Sequence, residues 1–512
     1  MNRILLIACV LLLKSLALQA QNTFQVKLSG NGSEEAVAVT ELPNGNFVVL
    51  SSKYVSGIDM DIVISEITFA GGLVKSKTFG TTNGELAKAM CRTYDGNFII
   101  AGSYFSSTSD YDLLVAKIDT DFNTIWVKHL GTIGGNDYVN SVYEISQGRY
   151  AITGTTAIGG SAKPSFMILD DSGTIAKEYH LNTNQFASPN FKAVYLNNGT
   201  FAFCNLTNSL CIVDTNGTII KNNSTNFGIY TSDAMLMPGN KPSLLAYSDY
   251  GSIQGGTTSL NTFDSTGNTV VASKKFKSSG NDFIPVKILS DNSGGYIIAA
   301  NALSLSNGNY TGVIFRADST GLLQWAKKYT PTGSAGSKIN DLKRTADGGF
   351  IAVGSEGGTS TTILVTKIDS LGLVQCNTSG FTLATASATT NSATQHSYNG
   401  GNTPILTAIN PTLTSLTTGS TVLCTTIGVQ ENTISEALHL FPNPGQNFIS
   451  TTLKINTEVY TTIYSTEGKI VSKSFGNIRP QIDISRLPSG LYLYEIKSQD
   501  GKILQHNKFI KE

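Results

Sequence analysis

A glycine turn followed two residues later by an aromatic and then an apolar run recurs along most of this 512-residue chain, and that periodicity constrains its fold more than any other feature. The copies are Asn44-Gly45-Asn46-Phe47, Asp95-Gly96-Asn97-Phe98, Gln147-Gly148-Arg149-Tyr150, Asn198-Gly199-Thr200-Phe201, Ser293-Gly294-Gly295-Tyr296 and Asp347-Gly348-Gly349-Phe350, with a degenerate seventh at Pro238-Gly239. Successive turn glycines lie 51, 52, 51, 40, 55 and 54 residues apart, the length of one four-stranded sheet with its loops. A unit of that size cannot bury its own apolar faces and must stack on its neighbours. Composition agrees, because 50 Gly against 13 Pro, with 23 Phe and 20 Tyr, favours many short strands and tight turns. The 36 basic and 36 acidic residues cancel and no Lys or Arg run stands out, which argues against a nucleic-acid footprint or a polybasic membrane surface.

A second column fixes the register. Further along each copy an apolar strand ends in Asp-x-x-Gly, as Asp170 with Gly173, Asp214 with Gly217, Asp264 with Gly267, Asp318 with Gly321 and Asp369 with Gly372. Copy two keeps Asp119 but has Phe122 at the glycine place, and copy one has Thr68 with Gly71. A carboxylate there caps the turn backbone and the glycine takes a positive φ, so these acids read as turn parts and not as catalysts. Each copy then holds four antiparallel strands, for example Ala89 to Thr93, Phe98 to Gly102, Leu113 to Asp119 and Thr124 to Leu130. The expected fold is all-β: a seven-bladed β-propeller over 21–376, a Thr/Ser/Asn-rich linker over 377–433 and a small C-terminal β-sandwich over 434–512. Phe24 to Leu28 has the pattern of a fourth strand with no preceding three and is expected to complete blade seven, with Leu371 to Cys376 competing for that place.

Arg3 precedes an apolar run from Ile4 to Leu13, too short to span a bilayer but suited to a secretory signal peptide, so residues 1–20 are expected to be removed after Ala20. No membrane span is expected later in the chain. The remaining cysteines are odd in number, which leaves at least one free thiol. Cys204 and Cys211 could bridge a hairpin, Cys376 and Cys424 could close a long loop, and Cys91 reads as a small buried hydrophobe.

Residues 377–430 contain no Asp, Glu, Lys or Arg, and aliphatics alternate with Thr and Ser as in Leu413-Thr414-Ser415-Leu416. That reads as a stalk or linker, although the alternation also suits strands. Beyond Leu440 a strand-turn-strand pattern supports the small sandwich.

Two resemblances add to this reading. Asp347-Gly348-Gly349-Phe350 followed by Lys367-Ile368-Asp369-Ser370-Leu371-Gly372, with Asp318 to Trp325 one copy earlier, resembles the repeats of secreted bacterial β-propellers, a likeness of architecture alone. The tail resembles the type A C-terminal sorting domain of the type IX secretion system: Pro442-Asn443-Pro444, the Tyr464 to Gly468 turn, Leu487 with Gly490 and Tyr492, and the terminal Lys508 and Lys511 occur in that order. Ser465 stands where Asp or Asn is usual. The resemblance implies export through the periplasm to the cell surface or the medium, with the secretion machinery as partner of the C-terminal domain.

Reactive groups on the ring are few. His129 and His180 take equivalent places on fourth strands and are expected at an exposed rim, too far apart to share a metal. No His-Glu-x-x-His, Gly-x-Ser-x-Gly, P-loop or Cys-x-x-Cys occurs, and no cofactor or metal is expected. The tight turns share one face of a propeller and the long, varied loops share the other, so the loop face is the candidate binding surface. It would carry Tyr54, Asp59, Asp61, Tyr104, Asp110, Tyr111, Asp112, Tyr250 and Tyr310 from the loops within blades, with Asp137 and Asp282 from those between blades. Tyrosine beside Asp, Ser and Asn suits glycan or protein recognition. The leading expectation is a non-enzymatic, exported propeller presenting this face for adhesion or binding. The alternatives are a hydrolase or lyase acting on polysaccharide, which needs paired carboxylates, and a passive scaffold.

Overall fold

The computed structural model describes residues 21–30, 32–56, 59–81, 83–107, 110–131, 135–158, 161–182, 192–196, 198–204, 209–224, 230–248, 255–267, 270–291, 293–358, 360–374, 378–387, 397–400, 405–407, 412–415, 419–426, 440–441, 445–451, 458–465, 469–477, 481–498 and 503–512. The chain forms two compact units, Met1–Gln430 and Glu431–Glu512. Among the described residues of the first unit there are seven antiparallel sheets, each a run of sequential strands. We number these blades by their innermost strands: Glu34–Glu41, Gly84–Arg92, Tyr138–Ser146, Lys192–Tyr195, Tyr230–Met237, Asn281–Ser290 and Ser337–Arg344.

Burial shows why the strands stack into a ring. Phe47, Val48, Val49 and Leu50 are consecutive and all buried, so both faces of the strand are covered. The apolar side chains fall into seven clusters, each shared by two successive blades, and the last, with Phe24, Val26, Val353 and Val365 against Ala36, Val39 and Phe47, joins blade seven to blade one. No blade has a core of its own. Thr23–Ser29 supplies the fourth strand of blade seven by pairing with Thr361–Ile368, Val26 opposite Val365, which decides against Leu371 to Cys376.

The segment expected to be a stalk contributes strands to the ring. Ser379–Gly380, Ala384–Ser387, Ser397–Gly400, Ile405–Thr407, Thr412–Ser415 and Gly419–Thr426 pair antiparallel with the outer strands of blades six, five, three, two, one and seven respectively. The chain therefore runs back around the ring as a belt, against the direction in which the blades were laid down. Its composition explains the fit. The outer strands carry lysines, a common way to deter stray edge pairing, and the belt places small uncharged residues opposite them: Gly380 to Lys327, Ser379 to Lys328, Ser387 to Lys274, Ala386 to Lys275 and Ser415 to Lys77.

The second unit has a three-stranded sheet, Leu440–Phe441, Phe448–Thr451 and Gln481–Asp483, and a four-stranded one in the order Ile470–Asn477, Glu458–Ser465, Gly490–Ser498, Ile503–Lys511. Ile449, Val459, Ile463, Ile484, Tyr494, Ile496 and Phe509 fill its core, and the rings of Tyr492 and Phe509 stack at 5.5 Å. Leu491, Leu493 and Ile510 alternate with these core residues and are exposed.

Candidate functional site

The turn face is consumed by structure. Asp170 accepts the N–H groups of Ser172 and Thr174 at 2.9 and 3.0 Å, and Asp119, Asp214, Asp318 and Asp369 make the same pair of bonds. The Thr68 hydroxyl does so in blade one. All seven residues of the glycine column have positive φ, from 64° at Phe122 to 87° at Gly71. Phe122 pays for that backbone by burying its ring edge-on to Phe98 at 6.2 Å. A side chain at Gly173 or Gly372 would collide with Trp126 or Trp325 of the preceding blade, so the glycine also admits the neighbour's indole. The first column acts with the second: Lys117 bonds Asp95 at 2.7 Å and Asp171 of the next blade at 2.6 Å, and Lys367 bonds Asp347 at 2.9 Å. These partners hold Asp95 and Asp171 below the usual carboxylate range, against burial that opposes the shift.

On the loop face most of the expected carboxylates are likewise taken. Asp137 is fully buried and accepts the Ala157 N–H at 2.7 Å. Asp282 accepts the Gly256 N–H at 2.6 Å. Asp112 is buried against Gly131, where no Cβ fits, and meets His129 Nε2 at 2.8 Å. Asp61 occupies the same niche against Gly80, its carboxyl pushed up by burial and by the charge of Asp59. Sequence reasoning missed Glu34 and Glu85, which accept the N–H groups of Gly30 and Thr81 at 2.9 and 3.0 Å. Burial pushes Glu85 up to about 7 against the Thr81 hydrogen bonds, with Asp61 and Asp59 adding to the rise. Their signal was in the repeat: the same acid stands five residues after the strand end, at Ser29 and at Gly80, in two successive copies. Recurrence marks these acids as loop caps.

The aromatic residues remain. Tyr111 lies edge-on to Phe105 at 4.8 Å and stacks on Tyr138 at 5.8 Å and 27°, joining blades two and three. Tyr138 was not anticipated from sequence. Tyr104 lies edge-on to His129 at 4.3 Å and accepts a hydrogen bond from the Asn83 amide. Tyr54 is exposed on blade one, and Lys338 sits 4.3 Å above the ring of Tyr310, away from this group in the chain order of the blades. Tyr250 and the side chain of Asp110 lie outside the described residues.

Several expectations need correction. His129 and His180 are not at an exposed rim: His180 is 7% exposed, because belt residues Thr407 and Asn399 pair opposite the two histidines and turn their strands into interior ones. Burial lowers the His180 pKa. The hairpin disulfide does not form, since Cys211 stands opposite Phe203 and Cys204 opposite Leu210, one position out of register, and Cys211 is a free buried thiol pushed up to about 12. Cys91 is also free, partly buried and pushed up to about 12 by burial. Cys376 and the side chain of Cys424 lie outside the described residues. Among the described residues no group of three or more His, Cys, Asp or Glu is placed to hold a metal ion, and no helix is long and apolar enough to cross a membrane.

In the second unit the Tyr464 hydroxyl donates to Glu495 at 3.1 Å, and the Tyr492 hydroxyl donates to the Pro488 carbonyl at 2.8 Å. The Leu487 N–H donates to Ile484, Gly490 pairs with Lys511, and Lys508 is exposed opposite Leu493. Ser465 accepts the Lys469 N–H on its hydroxyl at 3.3 Å, so it caps the turn in place of an acid or amide. Pro442, Asn443, Pro444 and Gly468 lie outside the described residues.

Residues 439–512 match the family described as the secretion system C-terminal sorting domain. No match is found among curated proteins. Among solved structures the chain is similar to the WD40 domain of Toxoplasma gondii coronin, at 9% identity over 70% of this chain and 89% of that one with a TM-score of 0.44. It is also similar to the β-propeller domain of the Trilobed protease from Pyrococcus furiosus, at 12% identity over 69% and 97% with a TM-score of 0.39. For BamB from Moraxella catarrhalis the values are 8%, 67%, 100% and 0.36. The chain is a β-propeller that carries at residues 439–512 a C-terminal sorting domain of the type IX secretion system.

Proposed function

We propose that this propeller, led into the periplasm by residues 1–20 and across the outer membrane by its sorting domain, acts at the cell surface or in the medium as a non-enzymatic glycan-binding module. The observation that carries the reading is the Phe105, Tyr111 and Tyr138 group on the loop face. Aromatic faces next to hydroxyls and amides stack on the apolar faces of sugar rings and bond their rims. Catalysis on polysaccharide would require two free carboxylates, whereas Glu85, Asp137 and Asp282 accept backbone N–H groups and Asp112 meets His129 on the neighbouring strand.

The test is a glycan array, paired with a panel of polysaccharide hydrolysis assays, on the full chain and on a Tyr111→Ala/Tyr138→Ala variant. Binding that falls at least tenfold in the variant, with no substrate cut, is the expected outcome. A blank array with cleavage of any polysaccharide would sink the reading.

A further inference from the structure

The inner strands share an irregularity that repeats around the ring. In blades one, two, three, five, six and seven the pairing of the innermost strand with its neighbour skips one residue, at Val37, Lys88, Asn140, Ser232, Val286 and Asn340. Such bulges re-aim a side chain out of the ladder, and all six residues line one cavity of about 530 Å³. The cavity is the ring's axial channel, since innermost strands surround it. Lys88 is the only charged member of the bulge set.

In blades five, six and seven the next residue along the strand is charged, as Asp233, Lys287 and Asp341, and these charges are settled among themselves. Lys287 meets Asp233 at 3.1 Å, and the charges of Asp233 and Asp341 hold it protonated against burial. Both acids serve also as bolts between blades, Asp233 accepting the Ile288 N–H at 3.0 Å and Asp341 the Val39 N–H at 3.2 Å. Lys343 lies 4.0 Å from Asp341. Lys88 differs. It is exposed to the channel and makes no ion pair among the described residues. Burial lowers the Lys88 pKa, opposed by the charge of Glu35, whose carboxylate accepts the Asn340 amide at 2.8 Å. An ammonium held in a narrow, walled space with no carboxylate in contact with it favours an anion there, because low-dielectric walls focus its field.

We infer that the channel binds a small oxyanion, a carboxylate or phosphate group, on Lys88. This site is separate from the loop-face aromatic group and does not depend on the glycan reading.

Calorimetric titration of the full chain with inorganic phosphate, and separately with succinate, at constant ionic strength tests it. One site per chain is expected for at least one probe, weakened tenfold or more in Lys88→Met, retained in Lys88→Arg and unchanged in Lys338→Met, whose lysine sits over Tyr310. If Lys88→Met fails to fold, the parent is read instead by NMR of its lysine side chains: saturating probe should raise the Lys88 pKa and leave those of outer-strand lysines unmoved. Absence of binding by both probes, equal affinity in Lys88→Met, or an unmoved Lys88 pKa would overturn the inference.

Discussion

The two units of this chain teach opposite lessons. The ring is long and repetitive, and its repetition declares an architecture while hiding a function, because a residue that recurs in every copy is there for the copies. The C-terminal unit is short and unrepeated, and its ordered motifs declare a function while leaving most of its packing to be seen in coordinates. If that contrast is right, changes in the ring should alter stability without altering export, and changes in the C-terminal unit should do the reverse.

The largest stability effect is expected from the belt. Replacing Gly419–Thr426 with an equally long Gly/Ser stretch uncovers one edge of Thr23–Ser29, the strand that closes the ring. In hydrogen exchange, the outward-pointing amides between Phe24 and Leu28 should then exchange roughly a hundredfold faster while the inward ones stay protected. Unchanged protection would mean that the belt does not hold the closure.

A smaller effect is expected from Phe122→Gly, which makes blade two conform to the other copies. Relieving the positive φ regains about 1 kcal/mol, but losing a ring that is 1% exposed costs about 3–4 kcal/mol. A net loss of about 2–3 kcal/mol in denaturant unfolding is expected, and a gain would show that the column, not the packing, governs that turn.

The smallest concerns Glu178, both of whose carboxylate oxygens are buried without a hydrogen-bond partner among the described residues. Burial, then the charge of Asp137, pushes it up from 4.5 to about 7. The folded state holds the proton more tightly than the unfolded chain, so this group's contribution is present below pH 4.5 and lost as pH rises to about 7. Glu178→Gln should match the parent below that window and exceed it above by about 1 kcal/mol after solvent screening. Parallel stability profiles across the window would contradict this account of Glu178.

Much of the ring was legible because its rules are local. A turn that needs positive φ and a capping oxygen announces itself as Asp-x-x-Gly, and a strand covered on both faces reads as an unbroken apolar run such as Phe47 to Leu50. Even the motif lysine was visible at Lys367, although only coordinates join it to the first-column acid Asp347. The belt was not legible, since a charge-free Thr/Ser segment suits both a tether and an edge strand, and which it becomes depends on lysine-bearing edges far away in sequence. The error over His129 and His180 followed from that one. The loop face was partly legible: Tyr104 and Tyr111 were anticipated, whereas Tyr138 was missed because it opens an inner strand and looks like core.

The central claim is that the ring is cargo and the C-terminal unit its address. Fractionation of cells producing the chain without Leu440–Glu512 tests this most directly, provided that the truncated ring unfolds at the same temperature as the full chain. The expected result is a folded ring retained inside the outer membrane. A folded ring in the medium or on the cell surface would contradict the account.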